Sequence, residues 1–142
     1  MQAAAWDEGR AREMIATLAA REGAMLPILH ALQEEFGHVP SAAVPLIADA
    51  LNLSQAEVHG TISFYHDFRA HPAGRRVVKI CRAEACQANG CEELIDELRA
   101  RSGVTPDTDD ERLTVEAVYC LGNCALSPNA LVDGELVARL DA

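Results

Sequence analysis

The sequence predicts an α+β chain. A helical segment fills residues 1–70, and a smaller domain built on a mixed sheet fills residues 71–142. Three observations carry this expectation. The first half repeats apolar residues at helical spacing between capping and stop residues. The stretch "RAHPAGRR", residues 69–76, gathers breakers, with His71-Pro72 and Gly74 marking a loop. Beyond it, short β-rich runs alternate with a helical pattern and finish in an Asp-Gly hairpin.

The helices follow in order. Over residues 7–22, Met14, Ile15 and Leu18 fall on one face with charges opposite. In "MLPILHALQEEFG", Pro27 suits a first turn, Leu29, Leu32 and Phe36 repeat at helical spacing, and Gly37 suits the stop. "SAAVPLIADALN" offers Ser41 as a cap and carries Pro45 early. "LSQAEVHGTISFYHDF" has the capping-box pair Ser54 and Glu57. Gly60, Thr61 and Ile62 weaken the helical expectation for its second half. Phe64 and Tyr65 in "SFYH" are expected to pack in a core or an interface.

After the break, "RVVKIC" reads as a strand ending on Cys81, and "CEELIDELRARSG" as a helix with Leu94, Ile95 and Leu98 inward. An acidic loop, "TPDTDDE", leads to "RLTVEAVYC". Its Leu113, Val115, Ala117 and Tyr119 alternate on one side, and it ends on Cys120. "ALVDGELVARL" is a hairpin about Asp133-Gly134. A strand, a helix and a second strand favour a parallel crossover. The hairpin then adds an antiparallel edge. The outline is that of a thioredoxin-like domain with a small mixed sheet.

Composition narrows the function. Hydrophobic residues make up 49% of the chain, enough for a core, and the formal net charge is −10. Such a chain is disfavoured as a partner of nucleic acid or of an anionic membrane. Residues 92–142 hold 4 basic and 12 acidic residues against 8 and 10 in residues 1–91, so the acidity is concentrated in the second domain. A solvated acidic surface is the favoured reading, and a docking surface for a more basic partner stays open. No run approaches the ~18 apolar residues of a membrane span, and the N-terminal stretch lacks the apolar core of a signal peptide. A cytoplasmic location is expected. Five cysteines in a reducing compartment point to metal or redox use, and their odd number agrees.

The cysteines form two groups, "CRAEACQANGC" and "CLGNC". If the strands ending on Cys81 and Cys120 are neighbours, both thiols reach one end of the sheet. Cys86 and Cys124 are then expected in the loops just beyond, and Gly90 and Gly122 aim amides at sulfur. The spacings C-x4-C and C-x3-C disfavour a zinc knuckle, which uses C-x2-C, and no C-x-x-C redox pair exists. A 2Fe-2S cluster is wider than a single ion and tolerates longer spacings. Iron–sulfur is favoured; zinc and a thiol–disulfide exchanger stay open. Cys91 competes with Cys86 for the second position, and its expected role is packing at a helix start. The five histidines share no ligand spacing, and no nucleophilic triad, phosphate loop or nicotinamide fingerprint is present.

The two cysteine pairs, preceded by an all-helical lead-in with "VHGTISFYHDF", resemble the thioredoxin-like 2Fe-2S ferredoxins. These include the small flavoprotein-side subunit of respiratory complex I and its relatives in NAD-reducing hydrogenases and NAD-dependent formate dehydrogenases. The resemblance covers about residues 27–136 and implies that Cys81, Cys86, Cys120 and Cys124 ligate one 2Fe-2S cluster, with Cys91 outside the set. "CRAEACQ" and "CLGNCALSPNALVDGE" are most similar to the gamma subunit of the formate dehydrogenases. That similarity implies a flavin- and NAD-binding partner subunit carrying FMN, and a molybdenum- or tungsten-containing iron–sulfur catalytic subunit. It implies outer-sphere electron transfer, with the hydride and formate chemistry belonging to the partners and no direct membrane insertion. Relatives commonly continue past the hairpin into a further helix, whereas this sequence stops at Ala142, which leaves that last element of the fold open.

Overall fold

Four helices form where the sequence places caps and apolar repeats. The computed structural model describes residues 3–106, 108 and 110–141. Asp107 and Asp109 of the expected acidic loop lie outside the described residues. The chain divides into two compact units, Met1–Pro72 and Ala73–Ala142.

In the first unit, α1 (Glu8–Leu18) starts at Asp7, whose Oδ1 accepts the backbone N–H of Arg10 at 3.0 Å. Helix α2 (Met25–Phe36) stops at Gly37, whose φ of +75° is the left-handed conformation that glycine adopts without strain. Helix α3 (Ala43–Leu51) departs from expectation at its start. Its N-cap is Ala42, without a side-chain bond. The carbonyls of Pro40 and Ser41 take the N–H groups of Ala43 and Val44, so the preceding turn satisfies the donors assigned to the Ser41 hydroxyl. Helix α4 (Gln55–Phe64) has its capping box, with Ser54 and Glu57 bonded reciprocally. It runs on through Gly60 and Thr61, where the Thr61 hydroxyl donates to the Glu57 carbonyl.

Ile15, Ile28, Leu29, Leu32, Phe36, Ile47 and Val58 form the core of this unit. Burying each such side chain stabilises the fold by about 1.5–3 kcal/mol. Helix α4 buries only Val58, while Phe64 is 75% exposed and packs edge-on against Tyr65.

In the second unit, β1 (Arg76–Cys81) leads through α5 (Glu84–Ala88) and α6 (Cys91–Ser102) to β2 (Leu113–Val118). The hairpin strands are β3 (Ala130–Val132) and β4 (Glu135–Val137). The sheet order is β2-β1-β3-β4, with β1 and β2 parallel and the remaining pairs antiparallel. The mixed sheet and its crossover therefore follow the expected plan. Ile80, Ile95, Val104, Val115 and Ala130 form the core of this unit. The one-sided alternation expected for β2 does not hold. Thr114 is buried as well, accepting the backbone N–H of Gly74 at 2.7 Å, and Tyr119 lies beyond the strand, 72% exposed. A Cβ at Gly74 would meet the Asp110 carbonyl at 2.5 Å, so this approach requires glycine. Asp133 and Gly134 turn the hairpin with φ of +50° and +87°. Among the described residues no helix is long and apolar enough to cross a membrane.

Candidate metal centre

The sheet register positions the cysteines. Cys81 is the last residue of β1 and pairs with Val118, the last residue of β2. Arg82 extends the ladder by donating its N–H to the Val118 carbonyl at 2.8 Å. Two residues past Val118, Cys120 sits beyond the strand rather than at its end, with φ of +86°. There the Cys120 N–H donates to Cys81 Sγ at 3.3 Å. Gly122, at φ +75°, donates its N–H to Cys120 Sγ at 3.4 Å. Cys124 opens a 3-10 turn, Cys124–Leu126, which brings its sulfur to 3.6 Å from that of Cys120.

The other side is built on helices. Cys86 lies on α5, not in a loop, because "EACQA" closes a helical turn immediately after the strand. Cys91 is the first residue of α6, behind Gly90 at φ +93°. The Gly90 amide is spent on the Gln87 carbonyl, so it does not reach sulfur as expected. Cys81, Cys86 and Cys91 form a buried cluster with Ala83, Val118 and Leu121 around them. Cys120 and Cys124 are exposed. The site is thus a buried thiol group facing an exposed thiol pair.

The thiols differ in how readily they ionise. Burial opposes the Cys81 thiolate. The N–H groups of Ala83, Cys120 and Leu121 and the Cys86 thiol outweigh that cost and hold its pKa below the ordinary thiol value. Burial pushes Cys86 up, against an N–H bond from the Asn129 backbone, and the neighbouring Cys81 adds to the rise. Cys124 is pushed up by its hydrogen bond to, and charge repulsion from, Cys120. Cys91 is pushed up to about 11, first by burial and then by the Glu92 carboxylate. Glu92 is itself held ionised by a two-pronged bond from Arg82, both distances being 2.9 Å.

The donor set can be tested against a metal. Two thiolates on one tetrahedral metal at ~2.3 Å lie about 3.8 Å apart. The 3.6 Å between Cys120 and Cys124 meets that requirement. Among the described residues no three His, Cys, Asp or Glu side chains stand together as ligands of a single ion. Cys120 and Cys124 stand as a pair beside the buried group of Cys81, Cys86 and Cys91, a set from which two thiolate pairs could be drawn for a two-iron cluster. Uniform sulfur donors and N–H groups aimed at sulfur suit iron–sulfur chemistry. In the first unit His30 packs against Phe68, and His38 Nδ1 bonds the Phe36 carbonyl.

One residue escapes a cysteine-based reading. Asn129 is 2% exposed, and its Nδ2 lies 3.8 Å from Cys86 Sγ. The only signal in the sequence is an amide set into the otherwise apolar run "PNALV".

Comparison with known proteins is consistent with this geometry. The profile of the family described as "Thioredoxin-like [2Fe-2S] ferredoxin" matches residues 11–142. The NADP-reducing hydrogenase subunit HndA of Solidesulfovibrio fructosivorans is 32% identical over 130 residues, covering 88% of this chain and 74% of that protein. A subunit of the NADH-quinone oxidoreductase of Escherichia coli (strain K12) is 33% identical over 119 residues, covering 82% of this chain and 72% of that protein. Among solved structures, the air-oxidised NAD+-reducing [NiFe]-hydrogenase superimposes with a TM-score of 0.70 at 29% identity. That match covers 83% of this chain and 20% of the hydrogenase chain, so this chain spans about a fifth of it.

Proposed function

Because this chain belongs to the thioredoxin-like 2Fe-2S ferredoxin family, we propose that Cys81, Cys86, Cys120 and Cys124 hold its cluster. We further propose that the chain is an electron-transfer subunit of a cytoplasmic NAD-dependent oxidoreductase. The observation that carries the proposal is the arrangement of the thiols. A buried pair on β1 and α5 faces an exposed pair spaced 3.6 Å, and backbone N–H groups point at two of the sulfurs. A bound cluster supplies a site that gains and loses one electron at a time. The chain's own residues set the conditions. The N–H groups of Cys120 and Gly122 stabilise negative charge on Cys81 and Cys120. The burial of Cys81 and Cys86 keeps water from one side. The exposed Cys120 and Cys124 leave the other side open to a redox partner.

The partner we propose is a flavin- and NAD-binding subunit, since a flavin divides a hydride into single electrons. The chain itself performs no hydride chemistry in this scheme. For the parent assembly we propose an NAD-dependent formate dehydrogenase with a molybdenum- or tungsten-containing catalytic subunit. The wording of "CRAEACQ" and "CLGNCALSPNALVDGE" supports that choice. The names of the hydrogenase and quinone-oxidoreductase relatives support those parents equally. Copurification under native conditions decides among them. A flavoprotein plus a molybdenum or tungsten subunit, with formate oxidised by NAD, supports the first. Hydrogen-dependent NAD or NADP reduction, or membrane quinone reduction, overturns it in favour of the others.

A further inference from the structure

Asn129 touches both halves of the cysteine site. Its carbonyl accepts the N–H of Cys81 at 3.0 Å. Its side-chain Nδ2 lies 3.8 Å from the sulfur of Cys86, to which it donates. The same Nδ2 donates to the Asn123 carbonyl at 2.8 Å, and Oδ1 accepts from Asn123 Nδ2 at 2.9 Å. Asn123 lies between Cys120 and Cys124. One buried carboxamide therefore ties the α5 thiol to the loop that carries the exposed pair.

The orientation of that carboxamide is fixed by its partners. A flipped amide would set Oδ1 against the Asn123 carbonyl oxygen and leave two acceptors facing each other. The donor must point toward the Asn123 carbonyl and the Cys86 sulfur. A buried asparagine with every group engaged is costly to replace, because each substitution strands a partner. Donors aimed at sulfur favour the more negative, reduced state of an iron–sulfur centre.

Resting on the cluster proposed above, we propose that Asn129 is a positioning residue that sets both the reduction potential and the retention of the centre. It holds Cys86 and the 120–124 loop at a fixed separation and donates to the Cys86 sulfur. Asn89 provides a contrast. Its Nδ2 bonds the Ala85 carbonyl and the Ser127 hydroxyl nearby but bonds no sulfur.

The test compares the reconstituted full-length wild type with Asn129→Asp, Asn129→Ala and Asn89→Ala. Iron content, redox titration, low-temperature paramagnetic resonance and iron release to a chelator are read for each. Asn129→Asp keeps the size and one acceptor while putting negative charge beside sulfur. At a poise where the wild type is half reduced, its reduced-to-oxidised ratio is expected to fall about tenfold, which is about 59 mV for a one-electron couple. Asn129→Ala, which adds no charge, is expected to shift the same way by about threefold and to release iron about tenfold faster, with altered g-values. Asn89→Ala is expected to match the wild type. Asn129→Ala is read alone if the aspartate variant does not fold. A wild type with no cluster defeats the proposed function. A loaded wild type whose Asn129 variants keep its potential and release rate defeats the role of Asn129 alone. So does an equal shift in Asn89→Ala.

Discussion

Replacing Cys91 and Cys86 one at a time separates the two thiols that compete to partner Cys81. Cys91 is fully buried among Cys81, Cys86, Ala83, Val118 and Leu121, and its sulfur donates to Glu92 Oε1 at 3.8 Å. Truncation to alanine removes one sulfur from a packed cluster. That costs about 1 kcal/mol, the scale for losing one buried methyl-sized group. For a domain of this size the melting temperature should fall by about 4–8 °C. Iron should stay at about two per chain, since Cys91 is not assigned as a ligand. Cys86→Ser is the reverse case. It changes volume little but exchanges a soft thiolate for a hydroxyl, so iron should fall well below two per chain. Calorimetry on the apo protein and iron and sulfide analysis after anaerobic reconstitution read both effects. Iron lost in Cys91→Ala and kept in Cys86→Ser would refute the assignment and move the second ligand to the start of α6.

Three further outcomes follow from the same contacts. Leu32→Ala, at a fully buried core position of the first unit, should cost about 2–5 kcal/mol in thermal or denaturant unfolding. Glu57 is held below its ordinary pKa by hydrogen bonds from the Ser54 backbone and then its hydroxyl. Its folded pKa is depressed, so its contribution is complete above its unfolded value of about 4.3 and is lost as pH falls through the lower folded value. Melting temperatures taken from about pH 6 down to pH 2 should therefore fall less steeply in Glu57→Gln than in the wild type across that window. Gly134→Ala, at φ +87° with nothing within 4 Å of the added Cβ, should cost about 1 kcal/mol in conformational strain with no steric clash, read by calorimetry of the second unit.

Much of the site was legible because local chemistry decides it. Cys81 ends β1 since "RVVKIC" is β-branched up to the thiol, and the Asp133-Gly134 turn pairs β3 with β4 as the dipeptide demands. The register Cys81↔Val118 then brings the second thiol group to the same end of the sheet. Other features depend on contacts far apart in sequence. Ser41 is a good cap by type, yet carbonyls of the preceding turn took the donors first. Gly90 was expected to aim its amide at sulfur, but that amide bonds the Gln87 carbonyl instead. Thr114 lies outside the alternating apolar set, yet it is buried, with Gly74 as its partner 40 residues away. Asn129 was invisible as a site residue because its meaning lies in reaching Cys86 and Asn123 together. Spacing could rank Cys86 and Cys91 but could not place one on α5 and the other behind a left-handed glycine.

The most direct test of the proposed centre is the metal and sulfide content of the anaerobically reconstituted chain, read with its paramagnetic spectrum after dithionite reduction. The expected result is a reddish-brown protein with about two irons and about two acid-labile sulfides per chain, and a low-temperature signal that appears on one-electron reduction. A colourless protein with stoichiometric zinc and no such signal would contradict it. So would an iron-free protein whose cysteines cycle through a reversible disulfide.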